Sequence, residues 1–137
     1  MGLRQLARLD DFVARRQALA RIYDAELAGC AGIEIVEPPE KAHHNYFKYI
    51  VILTKHNRAT VHKALEARDI QPSGYVYELP LHRQPVFPEA SGLSLPRTEH
   101  YCAQHFSLPI FVGMTDEQAH YVASTLKDVL GRTELTS

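Results

Sequence analysis

The chain has 137 residues, 45% of them apolar, and a formal charge of −1 from 15 basic and 16 acidic side chains. That content excludes a disordered polar tail, and the length suits one domain spanning residues 1–137, able to remove about two-thirds of its unfolded surface from water. The charge balance leaves no net field to draw the chain to nucleic acid or an anionic membrane, so recognition of phosphate has to come from local residues.

Leu3 to Gly29 reads as a helix. Leu6, Leu9, Val13, Ala20, Tyr23 and Leu27 recur near helical spacing, with Arg8, Arg15, Arg16 and Arg21 on other faces. Asp10 or Asp11 could cap its start behind a short lead-in, and Gly29 is the C-terminal stop. Gly32 to Glu37 alternates weakly as a strand that Pro38-Pro39 ends, and Glu40 to Asn45 is a polar loop. Tyr46 to Thr54, aromatic and β-branched, is the strongest strand signal in the chain.

Asn57 to Asp69 follows as a helix capped by Asn57, then a turn over Ile70 to Gly74 and a third strand over Tyr75 to Leu79. Two prolines, a glycine and two serines mark Phe87 to Arg97 as a long surface loop. Thr98 opens a short helix to His105. Thr115-Asp116-Glu117-Gln118 fits a capping box for a last helix. On that helix Ala119, Val122, Ala123, Leu126, Val129 and Leu130 form one stripe, and Gly131 is its expected stop. The order α-β-β-α-β-α-α predicts an α+β fold: a small antiparallel or mixed sheet of about three strands covered by helices, the first and last being the natural covers.

Most reactive residue types lack the spacing their chemistry needs. The adjacent His43 and His44 would point to opposite faces of a strand, and His100 and His105 miss the one-face spacing of helical ligand pairs, so no metal site is expected. No G-x-S-x-G or phosphate-cradling glycine loop occurs. Cys102, beside Tyr101 and Phe106, reads as core packing. Cys30 and Cys102 form no C-x-x-C pair and read as reduced thiols of a cytosolic protein. The N-terminus has charges where a signal peptide needs an apolar run, and the longest apolar run, Tyr49 to Leu53, is too short to cross a bilayer. A cytoplasmic location with no membrane and no nucleic-acid partner is therefore expected.

The stretch from Gly74 to Phe87 sets Tyr75, Tyr77, His82 and Gln84 on a segment stiffened by Pro80 and Pro85. Two readings fit. Tyr77 packs in a strand while His82 bonds loop backbone, or both present polar groups to a ligand.

Four motifs in this order carry a resemblance. They are Gln5-Leu6-Ala7-Arg8-Leu9-Asp10 with Arg15-Arg16 and Ile22-Tyr23; His44-Asn45-Tyr46-Phe47-Lys48-Tyr49-Ile50-Val51; Tyr77-Glu78-Leu79-Pro80-Leu81-His82-Arg83-Gln84-Pro85; and Leu95-Pro96-Arg97-Thr98-Glu99 with Phe106-Ser107-Leu108-Pro109-Ile110 and Met114-Thr115-Asp116-Glu117-Gln118. From about Leu6 to Leu130 the chain resembles the C-terminal small domain of the DegT/DnrJ/EryC1/StrS sugar aminotransferases, pyridoxal-phosphate enzymes of the aspartate-aminotransferase fold type. Two positions depart from the pattern: Glu78 stands where proline is common, and Ile52 where many members have arginine.

The resemblance implies a C-terminal fragment or subunit of a nucleotide-sugar aminotransferase, closing over the substrate cleft. Tyr77 and His82, with Gln84 as a weaker candidate, would contact the sugar nucleotide. The Schiff-base lysine, the acidic partner of the pyridine nitrogen and the phosphate-binding groups would belong to a large domain that is absent here. Lys41, Lys48, Lys55, Lys63 and Lys127 do not lie in the family's cofactor-lysine context. Pyridoxal phosphate is thus expected in the complete enzyme and not on this chain alone. The implied partners are a lysine-bearing large domain, if separately encoded, a nucleotide-sugar substrate, and further copies in a homo-oligomer. A noncatalytic interaction module or an inactive gene remnant is the alternative reading.

Overall fold

The structure, a computed structural model, describes residues 2–134. Its elements are α1 (Gly2–Leu6), α2 (Leu9–Leu27), β1 (Ile33–Ile35), β2 (Tyr49–Leu53), α3 (Arg58–Glu66), α4 (Pro96–Gln104), β3 (His105–Leu108) and α5 (Asp116–Glu134). Single turns of 3-10 helix lie at Leu81–Arg83 and Pro88–Ala90. The strands form one antiparallel sheet, β1-β2-β3, so the fold is α+β as expected.

Register divides the sheet into two faces. Ile33 lies opposite Leu53, Ile35 opposite Val51, Val51 opposite Phe106 and Tyr49 opposite Leu108, and all of these join the core. Their alternates Glu34, Ile50, Ile52, His105 and Ser107 belong to the other face. The core face meets α2 and α5, which pack on each other and bring Leu19, Tyr23 and Leu126 to the core. Tyr23 is fully buried; its ring lies 4.9 Å from that of Tyr49, and its hydroxyl donates to the Pro109 carbonyl at 2.6 Å. Tyr49 in turn donates to Asp24 at 2.7 Å. Burial pushes both phenols well above their ordinary range, and for Tyr49 the bond to Asp24 adds to the shift.

Side chains set several element ends. Asn57 accepts the Thr60 amide at 3.1 Å, and Thr115 and Gln118 close the expected box at 3.2 and 2.9 Å. Asp10 and Asp11 lie in the first turn of α2, not at its cap; there they complement the positive end of the helix dipole. Gly29, at φ +67°, turns the chain out of α2. Tyr46 adopts φ +44°, and the Asn45 carboxamide takes the Phe47 amide at 3.0 Å, so the regular strand starts only at Tyr49. Thr98 does not cap α4. Pro96 opens that helix, and the Glu99 carboxylate takes the Leu95 amide at 3.2 Å. α5 runs through Gly131 to Glu134.

The third strand is β3, not Tyr75 to Leu79. The end of the Ile70–Gly74 segment does run beside β3, with Ser73 donating to the Ser107 carbonyl at 2.8 Å and Ser107 to the Gly74 carbonyl at 3.1 Å. Gly74 then turns the chain at φ +74°, and the Val76 amide goes to the His105 imidazole at 2.9 Å instead of to a backbone carbonyl. A side chain has taken the place of the ladder, so no regular strand propagates.

Candidate functional site

The second face of the sheet carries an apolar cavity of about 650 Å³. Ile50 and Ile52 form its floor, Val76 and Tyr77 one wall, Tyr101 and Cys102 of α4 another, and Glu34 and Glu37 border it. Cys102 is therefore half-buried on the cavity wall, not in the core, and both cysteines are free thiols. Tyr77 is 59% exposed.

His105 fixes the Tyr77 wall. The Val76 amide can only donate, so Nε2 accepts it, with the Tyr77 amide at 3.4 Å sharing the same nitrogen. Nδ1 then carries the proton and donates to the Tyr101 carbonyl at 2.7 Å. One buried imidazole thus ties the 75–77 segment to α4 and β3. Arg58 braces the same corner. Its guanidinium lies 3.9 Å from the Tyr75 ring centroid and donates to the Cys102 and His105 carbonyls at 2.5 and 3.3 Å.

His82 sits apart from this cavity. It lies on the 3-10 turn after Pro80, is only 6% exposed, and its Nε2 meets Glu99 Oε1 at 2.8 Å. The same oxygen accepts Arg83 at 3.0 Å and the Leu95 amide at 3.2 Å. Glu99 is thereby the hub joining the 81–83 turn to the start of α4. The His82 bond first, then the Leu95 amide and Arg83, hold its carboxyl down to about 2. Gln84 is half-buried, its carboxamide 3.5 Å from the Leu79 carbonyl, a bond within its own loop. Of the three residues singled out in the sequence, Tyr77 alone lines the cavity; His82 and Gln84 lie on the adjoining loop. The organising roles of His105, Arg58 and Glu99 escape sequence reasoning. Only Glu99, an acidic residue in the first turn after Pro96, leaves a capping signal in the sequence.

Among the described residues no group of three or more His, Cys, Asp or Glu side chains could hold a metal ion, and no helix is long and apolar enough to cross a membrane. Residues 1–127 match the DegT/DnrJ/EryC1/StrS aminotransferase family. The chain belongs to that family. It is 26% identical over 132 residues to GDP-perosamine synthase of Vibrio cholerae, a match covering 93% of this chain and 35% of that protein. Among solved structures, the aminotransferase TlmJ from Streptoalloteichus hindustanus superposes with a TM-score of 0.87 at 26% identity, over 96% of this chain and 35% of that one. DesV of S. venezuelae, solved in complex with a ketimine intermediate, gives 0.79 at 32% identity, over 90% and 33%. The family member described here therefore spans about a third of the length of the curated relatives it matches.

The residues around the cavity do not fit a pyridoxal phosphate Schiff base. No lysine lines it; Lys48 donates to the Ser73 carbonyl at 2.8 Å and Lys127 to Glu26 at 2.6 Å. Its charged members are the carboxylates Glu34 and Glu37, which would repel a phosphate.

Proposed function

We propose that this chain acts as the small C-terminal domain of a pyridoxal-phosphate-dependent nucleotide-sugar aminotransferase of the cytoplasm. It closes the substrate cleft and supplies sugar contacts, while a large domain carries the Schiff-base lysine. The observation that carries this reading is the family match across residues 1–127, set against a length of about a third of the relatives. A relative named for a GDP-linked sugar and a solved relative holding a ketimine intermediate support the substrate class and the cofactor. In the complete enzyme Tyr77 presents its exposed ring and hydroxyl to the sugar nucleotide. His82 offers an imidazole whose orientation Glu99 fixes, and Gln84 shapes the loop between them.

Two measurements test the reading. Titrating the chain alone with pyridoxal phosphate should give no saturable absorbance shift; a shift abolished by replacing one lysine would overturn the assignment of the cofactor to a large domain. Co-expressing the chain with a lysine-bearing large domain of the family should yield a copurifying pair that transaminates a nucleotide-linked keto-sugar with glutamate as donor. In that pair Tyr77→Phe should raise KM for the sugar nucleotide more than it lowers kcat. Failure to copurify or to restore activity would sink the proposal.

A further inference from the structure

The outer edge of β1 is the end of the sheet that the fold leaves open. Gly32 accepts the Thr54 amide at 2.9 Å and Val36 donates to the Ile50 carbonyl at 3.4 Å, so these residues point at β2. The alternation of an antiparallel pair then turns the amides and carbonyls of Ile33 and Ile35 away from β2, toward an edge that no described strand occupies.

Cavities flank that edge on both faces of the sheet. One is the cavity of about 650 Å³ on the second face; the other, of about 680 Å³, lies toward the end of α2 and is bordered by Leu27, Ile33 and Asp24. Residues Glu34 to Glu37 border both. A strand added to β1 would send alternate side chains to the two faces, and each face has room to receive them. The charge there has one sign. Asp24, Glu34 and Glu37 border the two cavities, no lysine or arginine does, and among the described residues Glu34 and Glu37 form no ion pair.

We propose that the β1 edge is a strand-addition site for an extended, basic segment of another protein chain. Its backbone pairs with Ile33 and Ile35, an apolar side chain enters each cavity, and a lysine or arginine lies against Glu34 and Glu37. Charge argues against a second copy of this chain as the occupant. Antiparallel pairing of two β1 strands centred on Glu34 would set two Glu34 carboxylates side by side, and like charges directly opposite each other destabilise a ladder. The proposal shares the Tyr77 cavity with the aminotransferase reading, but it uses no cofactor and is read at the amides of Ile33 and Ile35, so either can fail without the other.

The test is amide hydrogen exchange on the isotopically labelled full chain with three capped peptides. These are Thr-Lys-Val-Val-Lys-Val-Thr, which as a strand puts valine and lysine on both faces, the same peptide with glutamate for lysine, and the lysine peptide with alternate backbone amides methylated. The lysine peptide should slow exchange at Ile33 and Ile35 by about tenfold at ten times its Kd, whereas the glutamate and methylated peptides should not. The E34K/E37K variant, altered only at exposed side chains, should reverse the preference between the lysine and glutamate peptides. Absence of protection, or equal protection by all three peptides, would overturn the proposal. Protection that grows with protein concentration alone would assign the edge to a second copy and overturn it too.

Discussion

At the residue scale, Glu99 holds together the loop that carries His82. Its carboxyl titrates near 2 in the folded chain, below its ordinary 4.5, because His82, the Leu95 amide and Arg83 all bond the charged form. A depressed carboxyl contributes stability that is present above its unfolded value and lost as pH falls through the folded one. The parent chain should therefore lose stability between about pH 4.5 and pH 2 more steeply than Glu99→Gln, which cannot titrate there. Thermal melts of the two proteins across that window check this. Parallel curves would show that the hub contributes nothing in solution. At neutral pH the same variant should speed hydrogen exchange at Leu95, whose amide loses a charged acceptor.

At the element scale, two glycines that look alike in the sequence separate in the structure. Gly32 precedes β1 at φ +89°, and a Cβ there would lie 2.7 Å from the His56 ring. Gly131 sits inside α5 with nothing within 4 Å of such an atom. Gly32→Ala should therefore destabilise the chain by about 1–3 kcal/mol, and Gly131→Ala should stabilise it by roughly 0.5–1 kcal/mol. Urea denaturation of each variant decides both signs. Gly131 also shows what local sequence could not reveal. A glycine after an apolar stripe is a sound stop signal, yet the stripe ends on Val129 and Leu130, which bury fully against the core and hold the helix past it.

The elements that sequence located well carry their own punctuation. α3 has Asn57, α5 has the Thr115–Gln118 box, and β2 has a β-branched run. Tyr75 to Leu79 has strand composition but lacks a partner ladder, which only tertiary structure supplies, so the third strand is β3 instead. His105 ends one helix and begins the true strand without any spacing signal, since its role depends on Val76, 29 residues away. Of the two sequence readings of Tyr77, packing in a strand does not hold: its side chain is 59% exposed.

At the scale of the whole molecule, exposed apolar side chains recur along one stretch of the chain. Val76, Tyr77, Leu79, Leu81, Val86 and Phe87 are all exposed by 40% or more. Exposed apolar side chains, where they come together, mark contact sites or drive association. In the absence of a large domain the chain should self-associate as its concentration rises, and sedimentation velocity over a dilution series should show it. A monodisperse monomer at high concentration would count against a buried role for this surface. Substituting Leu81 and Val86 with serine should shift the distribution toward monomer with little change in melting temperature, because neither side chain belongs to the core.

The pairing of α2 with α5 also bears on how the chain acquires its shape. Arg15 bonds Asp116, and Glu26 bonds Lys127, each across 101 residues. The sheet face carrying Tyr49, Val51 and Leu53 has no complete cover until α5 joins α2. Contacts this distant close the largest loops the chain can make and are slow to form. During synthesis, α2 and β2 wait with their apolar faces unprotected until α5 has been made. α2 is thus made long before the helix it pairs with, and late closure of the core is built into the order of the elements.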